Sequence, residues 1–313
     1  MELSQLEVFL AVARERRFSR AAEKLFRTQS AVSQTIRKLE DELGEALFDR
    51  SSRDGVLTDA GRVLHEYAEK LLNLRVEAAE SLVELRELQK GKLTIAANEF
   101  TALYLLPLLA EFRRLHPMIR IMVQRSLGSH IPDDVLRYNA ELGVLSYEPQ
   151  EPSLHSIVVY LDELVFVVPP NHPLASAHEI SIRQLGAESF VAHTVSSPYR
   201  EKVLQLFKTH KTPLHMDLEL PTLQAIKQFV AQGNGVALLP EISVENELAR
   251  KELFRIPVRE LQLKRKLRLI YRKDANLSHA ARAFLKVAEA VALERKGRYK
   301  FQKESQAGKK KET

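Results

Sequence analysis

The sequence predicts an α/β chain made of an N-terminal winged helix-turn-helix, a long linker helix and a two-lobed α/β domain. Three observations carry this. Two short amphipathic helices meet at a tight corner between Phe18 and Leu39, and a run of apolar residues at coiled-coil spacing follows from Leu64 to Leu88. From residue 92 onward, strand patterns alternate with helix patterns.

Composition sets the outer bounds. The 313 residues suffice for two or three compact units, and 45% hydrophobic with 28% charged side chains is ordinary for a soluble globular protein. There is no cysteine, which excludes disulfides, thiolate metal sites and cysteine nucleophiles. The opening MELSQLEVFLAVARERRF has no cleavable apolar core, and no apolar run is long enough to cross a bilayer. The expectation is a cytoplasmic protein with no membrane partner. The net charge of +6 is a poor guide to nucleic acid, because from Glu294 onward eight basic residues stand against three glutamates. The local signal is better. Between Arg14 and Lys38 eight basic residues face only Glu15 and Glu23.

Leu3, Leu6, Phe9, Leu10 and Ala13 mark a first amphipathic helix. Phe18, Ala21, Ala22 and Leu25 mark a second, with Ser19 as its candidate N-cap. After a break at Arg27-Thr28, a third begins near Gln29 and buries Ala31, Val32, Ile36 and Leu39. The small Ala21 and Ala22 allow close approach of the third helix, as a helix-turn-helix requires. Its free face carries Gln29, Ser30, Ser33, Gln34 and Arg37, all able to hydrogen-bond base edges or phosphates. Gly44 suits a helix C-cap, and Ser51 to Gly55 is a turn between Phe48 and Val56-Leu57, the pattern of a two-stranded wing. Arg50 and Arg53 sit where such a wing reaches phosphate or the minor groove. Thr58 then caps a helix from about Asp59 to Gln89. Along it Leu64, Tyr67, Leu71, Leu74, Ala78, Ser81, Leu85 and Leu88 form a seam that predicts self-association.

Beyond Gly91-Lys92 the pattern predicts strands at 93–97, 119–124, 141–146, 214–220, 236–240 and 266–272. It predicts helices at 101–116 (regular from Pro107), 131–138, 198–210, 222–232 and 278–294. The run SIVVYLDELVFVVPP reads as two strand pieces stopped by Pro169-Pro170. Such alternation predicts parallel sheets in two lobes around a cleft. Ligands of such sheets bind beyond the carboxyl ends of strands. The polar residues there are Asn98, Glu99 and Thr101; Ser126, Gly128 and Ser129; Thr194, Ser196 and Ser197; and Thr222. Their hydroxyls and amide suit a small organic anion held at helix N-termini, and Phe100 and Tyr199 would also accept a flat ring.

Residues 1 to about 90 resemble the N-terminal domain of LysR-type transcriptional regulators. The likeness rests on Leu6, Phe9, Ala13, Phe18, Ser19, Ala21, Ala22, Leu25, TQSAVS (28–33), Ile36, Leu39, Glu40, Leu43, Gly44, LF (47–48), Arg50, LT (57–58) and Ala60-Gly61. Ser30 stands where that family often has proline. LLPLLAEFRRLHP (105–117), ELGVL (141–145) and FVAQGNGVALLP (229–240) resemble its effector domain, related in fold to periplasmic binding proteins. Glu141 stands for the usual aspartate. The resemblance implies a winged helix-turn-helix over 1–58, a coiled-coil linker over 59–91 and an effector domain over 92–297. Its lobes would be about 92–161 with 267–297, and 162–266, followed by a basic disordered tail, 298–313. It implies pseudo-palindromic promoter DNA, a small-molecule effector, a second copy of the chain (homodimer or homotetramer) and RNA polymerase as partners. Effector contacts would fall on Asn98, Thr101, Ser129, Thr194, Ser196 and Thr222.

No glycine-rich phosphate loop, nucleophile elbow or two-histidine metal helix is present. The ten histidines lack ligand spacing, and Asp133-Asp134 and Asp162-Glu163 read as solvated faces. No catalytic residue, metal or cofactor is expected. The alternative is a small-molecule binding protein whose N-terminal domain serves only assembly. Binding to the DNA upstream of its own gene separates the two.

Overall fold

The computed structural model describes residues 1–49, 55–86, 91–195, 197–274 and 276–303. The chain forms two compact units, one mainly residues 1–88 and the other mainly 89–313.

In the first unit, α1 (Leu3–Glu15) buries Leu6, Val8, Phe9 and Val12, and ends where Arg16 turns left-handed. Next comes α2 (Phe18–Lys24). Its N-cap residue is Arg17, which makes no side-chain cap, so Ser19 lies inside the helix rather than capping it. The corner falls at Leu25 to Thr28. Phe26 adopts φ 53° and the Arg27 N–H donates to the Ala22 carbonyl, which completes the turn through the backbone. The third helix, α3 (Gln29–Leu43), is capped by Thr28 Oγ1, which accepts from the Ala31 N–H at 3.2 Å, and it ends on Gly44 at φ 72°. Ala21 and Ala22 are buried where the helices meet.

After α3 the chain turns inward on Glu40. This buried carboxylate accepts from the Leu47 and Phe48 N–H groups at 2.8 and 3.3 Å. Phe48 then packs between Phe9 and Phe18, each ring centre 5.4 Å away, and bridges antiparallel to Leu57. That bridge is the base expected of a wing; residues 50–54, at its tip, lie outside the described residues. The linker helix α4 (Asp59–Arg86) opens on Thr58, whose Oγ1 accepts from the Gly61 N–H. Leu64 and Ala68 pack into the unit's core, whereas Tyr67, Leu71 and Leu74 are exposed. The side chains of Ser81, Leu85 and Leu88 are outside the described residues.

The second unit starts with β1 (Gly91–Ala97), α5 (Glu99–Leu115), β2 (Ile119–Arg125), α6 (Ile131–Leu136), β3 (Leu142–Leu145) and the long β4 (Leu154–Val168). Then follow β5 (Ser189–His193), α7 (Pro198–Thr209), β6 (His215–Leu220), α8 (Leu223–Ala231), β7 (Ala237–Pro240), α9 (Glu245–Ala249) and β8 (Phe254–Ile256). The chain closes with β9 (Lys264–Arg272), α10 (His279–Arg295) and β10 (Tyr299–Lys303).

The sheets are mixed, not parallel as expected. β1 is parallel to β2 and β3, but β3 to β9, β9 to β4 and β4 to β10 are antiparallel. In the second lobe, β7 and β8 run antiparallel to the far half of β4, and β5 is parallel to β6. The reason lies in β4 and β9, which run side by side from one lobe into the other. SIVVYLDELVFVV is therefore one strand, since the buried Asp162 that interrupts its apolar run faces Arg265 across the ladder. Two further expectations need correction. Pro107 does not delay α5, which starts at Glu99 because Asn98 and Thr101 form a reciprocal capping box. Tyr299 to Lys303 are not disordered tail. They pair with β4, and Tyr299 packs on Tyr160 and Tyr104 at 5.0 and 6.0 Å; burial pushes the Tyr160 hydroxyl up to about 12. Glu141 holds the start of α10 by accepting from the Ser278 N–H and hydroxyl at 2.6 and 2.8 Å.

Candidate functional site

Two surfaces collect the predicted site residues. On α3, Gln29, Ser30, Gln34 and Arg37 are exposed on the side away from Val32, Ile36 and Leu39, while Ser33 is half-buried. The row is partly pre-ordered. Gln29 Nε2 donates to Ser33 Oγ at 3.2 Å, and the Ser30 hydroxyl lies 3.0 Å from Thr28 Oγ1. Arg16, Arg20, Arg27 and Lys38 stand exposed on the same helix group. Lys24 is paired with Glu15 at 2.5 Å. Arg50 and Arg53 lie outside the described residues.

In the second unit a cavity of about 580 Å³ opens between the lobes, at the carboxyl ends of β1, β2 and β3. Asn98, Glu99, Phe100, Ser126, Gly128, Ser129, Ser197 and Tyr199 line it. Three predicted contacts do not. Thr101 is fully buried within the capping box. Thr222 spends its hydroxyl capping α8, accepting from the Ala225 N–H at 3.2 Å. Thr194 lies off the wall, its N–H donating to the Leu220 carbonyl. Ser196 is outside the described residues. Polar residues after strands mark helix starts as readily as ligand contacts, and at Thr101 and Thr222 the helix claims them.

Sequence reasoning missed the rest of the wall. Phe190, Val203, Leu214, Met216 and Leu238 make it apolar, His193 adds an imidazole, and Arg125, Arg200 and Arg265 bring charge. The available signal was Asp162. A charge that interrupts an apolar strand must lie outside or find a buried partner. Asp162 is 4% exposed, with Arg265 Nη1 at 3.6 Å and the Ile242 N–H donating to Oδ1 at 3.3 Å. Burial pushes the Asp162 carboxyl up and the Arg265 guanidinium down, each offset in part by the other's charge.

Four contacts tie the lobes across this cavity. The Tyr199 hydroxyl donates to the Ser146 carbonyl at 3.0 Å. Glu99, at the start of α5, accepts from the Leu223 N–H at 3.0 Å and faces His193 Nε2 at 3.3 Å. The Phe100 and His193 rings lie 5.1 Å apart. A ligand entering here therefore touches both lobes.

Known proteins share this architecture. Residues 3–62 match the bacterial regulatory helix-turn-helix of the lysR family, and residues 86–292 match the LysR substrate binding domain. A probable RuBisCO transcriptional regulator of Synechocystis is 31% identical over 91% of this chain and 84% of its own length. The RuBisCO operon transcriptional regulator of Allochromatium vinosum is 31% identical over 91% and 94%. Among solved structures, the LysR family regulator CbnR superposes with a TM-score of 0.71 at 19% identity, covering 93% of this chain and 99% of its own. The regulatory domain of Synechocystis CcmR, solved with 2-PG, is 28% identical at a TM-score of 0.59, covering 65% of this chain and 97% of its own. With its helix-turn-helix and two-lobed domain both matched, the chain belongs to the LysR family, as a DNA-binding transcriptional regulator that responds to a small-molecule effector.

Proposed function

We propose that α3 enters the major groove of promoter DNA with Gln29, Ser33 and Gln34 toward base edges. Ser30 then meets phosphate or a flanking base, Arg37 meets phosphate, and Arg50 and Arg53 reach phosphate or the minor groove. The exposed polar row on α3, with Arg16, Arg20, Arg27 and Lys38 also exposed on the same helix group, supports this reading above all others. The effector occupies the inter-lobe cavity against Asn98 and Ser129. Two chains pair along α4, which sets two α3 helices against a pseudo-palindromic site in the cytoplasm. No step of this function is catalytic.

A band-shift assay with the DNA upstream of the protein's own gene tests it. The wild-type chain is expected to retard that DNA. Gln29→Ala and Gln34→Ala should change which bases are preferred, each by about 1–3 kcal/mol of discrimination. Arg37→Ala should weaken all sequences alike and lower the salt dependence of binding by about one unit of slope. Folded protein that ignores this DNA at low salt, with or without cleft ligands, would leave the N-terminal unit a mere assembly module.

A further inference from the structure

The cavity is built unlike a seat for a small, wholly polar acid. It reaches into the core of the second lobe, where Leu164, Phe190, Val203, Leu214, Met216 and Leu238 form its inner wall. A two- or three-carbon acid would leave most of that wall facing water. Against it stands one buried cation. Arg265 is 4% exposed, its guanidinium carbon lies 5.2 Å from the centre of the Tyr199 ring, and its Nε is buried without a hydrogen-bond partner. The ion pair to Asp162 is long, at 3.6 Å from Nη1. The other charged groups on the wall are committed or solvent-exposed. Arg200 donates to Glu219 and to the His193 carbonyl, Glu99 holds the Leu223 N–H and faces His193, and Arg125 is exposed.

We propose that the cleft takes an amphipathic monoanion, with a flat ring or short acyl body against the inner wall and a single carboxylate turned to Arg265. Arg265 lines the cavity and its pair with Asp162 is long, so a charged acceptor at its guanidinium gains a charge-assisted hydrogen bond that a neutral one makes more weakly. Asp162 already neutralises this arginine, so one added negative charge is tolerated far better than the two of a phosphate. The inference rests on the cleft being the effector site.

Thermal-shift and calorimetric titration of the full chain test it with three acids (benzoate, cinnamate and hexanoate), their neutral amides, and the polar anions glycolate, inorganic phosphate and 3-phosphoglycerate. The acids are expected to raise the melting temperature with the logarithm of their concentration above Kd, and the amides and polar anions to leave it unchanged. Arg265→Gln should weaken the acids about tenfold or more, towards the level of their amides. Should that variant unfold, Met216→Gln serves instead, placing a polar tip on the inner wall and weakening the acids while Arg265 is intact. Ala192→Trp, which puts a large ring into the cavity from its wall, should abolish binding. No response to any of the three acids at millimolar concentration overturns the inference. Polar anions that bind in their place and are blocked by Ala192→Trp overturn the ligand class but leave the cleft as the effector site. Acids that bind equally well after Ala192→Trp lie elsewhere and overturn both.

Discussion

At Gly61 a hydrogen atom is all the space allows. A Cβ there would stand 2.1 Å from the Leu47 carbonyl oxygen, which also accepts from the Thr58 N–H. The backbone that returns from α3 is thus pressed against the first turn of α4, and Gly61→Ala must force the two apart. The expected cost is about 1–3 kcal/mol, read as a lower unfolding midpoint together with weaker DNA binding, because the strained part is the one that carries α3. Glu40 acts at the other side of the same return. Glu40→Ala would leave the buried Leu47 and Phe48 N–H groups without this acceptor, at about 1–3 kcal/mol, whereas Glu40→Gln keeps a carbonyl there and should cost less. Equal losses in the two variants would show that the hydrogen bonds are not what Glu40 supplies. Both residues stand in the stretch whose family resemblance is legible from sequence. Arg265 was not legible, because Lys264-Arg265-Lys266 reads as a solvated run. Only alternation along a strand, with Asp162 placed opposite, turns its middle member inward.

Among elements, helices were easier to read than strands, for a physical reason. α3, α7, α8 and α10 each begin at a side-chain cap (Thr28, Ser197, Thr222 and Ser278) that is written locally. Strand direction is not local. β4 and β9 look like any apolar runs, and their antiparallel pairing depends on partners about a hundred residues apart. β10 was hidden by charge. Its lysines suggest a disordered tail, but Tyr299 and Phe301 alternate with them and pack on the first-lobe core. Tyr299→Ala should lower the stability of the second unit by about 1–3 kcal/mol; an unchanged melting temperature would mean that β10 is a passive appendage. A second element is tuned by pH. Glu260 accepts from the Ile182 N–H at 2.8 Å and from the Ser181 hydroxyl at 3.0 Å, bonds that hold its carboxyl below the usual range and fix the short helical turn Ile182–Ala187. A carboxylate lowered in the folded state contributes stability above its ordinary value of 4.5, and that contribution is lost as pH falls through the folded value. Other carboxylates share this trend, so the informative quantity is the difference from Glu260→Gln. The wild type should lose its advantage over that variant as pH drops below 4.5, and a gap that stays constant into acid would sink the assignment.

At the scale of the whole molecule, the linker helix decides whether the chain can act as a regulator. Tyr67, Leu71, Leu74 and Leu82 are exposed along α4, where a soluble surface gains nothing from a row of large apolar side chains. Spaced by steps of four, three and eight, they keep to one side of the helix, as a partner helix requires. If that partner is a second copy, Leu71→Glu with Leu74→Glu should give a monomer in sedimentation, since it sets like charges against each other along the seam. Each protomer would keep its α3 and its affinity for one half-site. What it would lose is the advantage of binding two half-sites at once, about a hundredfold or more on a complete site and almost nothing on a single one. Spacing supplies a test that needs no variant. A rigid pair reads both halves from one face of the duplex, so inserting about half a helical turn between them should abolish joint binding, and inserting about one full turn should restore part of it. Affinity that falls smoothly with inserted length, without that alternation, would mean the two recognition helices are not held at a fixed separation. Control through effector-driven changes in that separation would then have no structural basis.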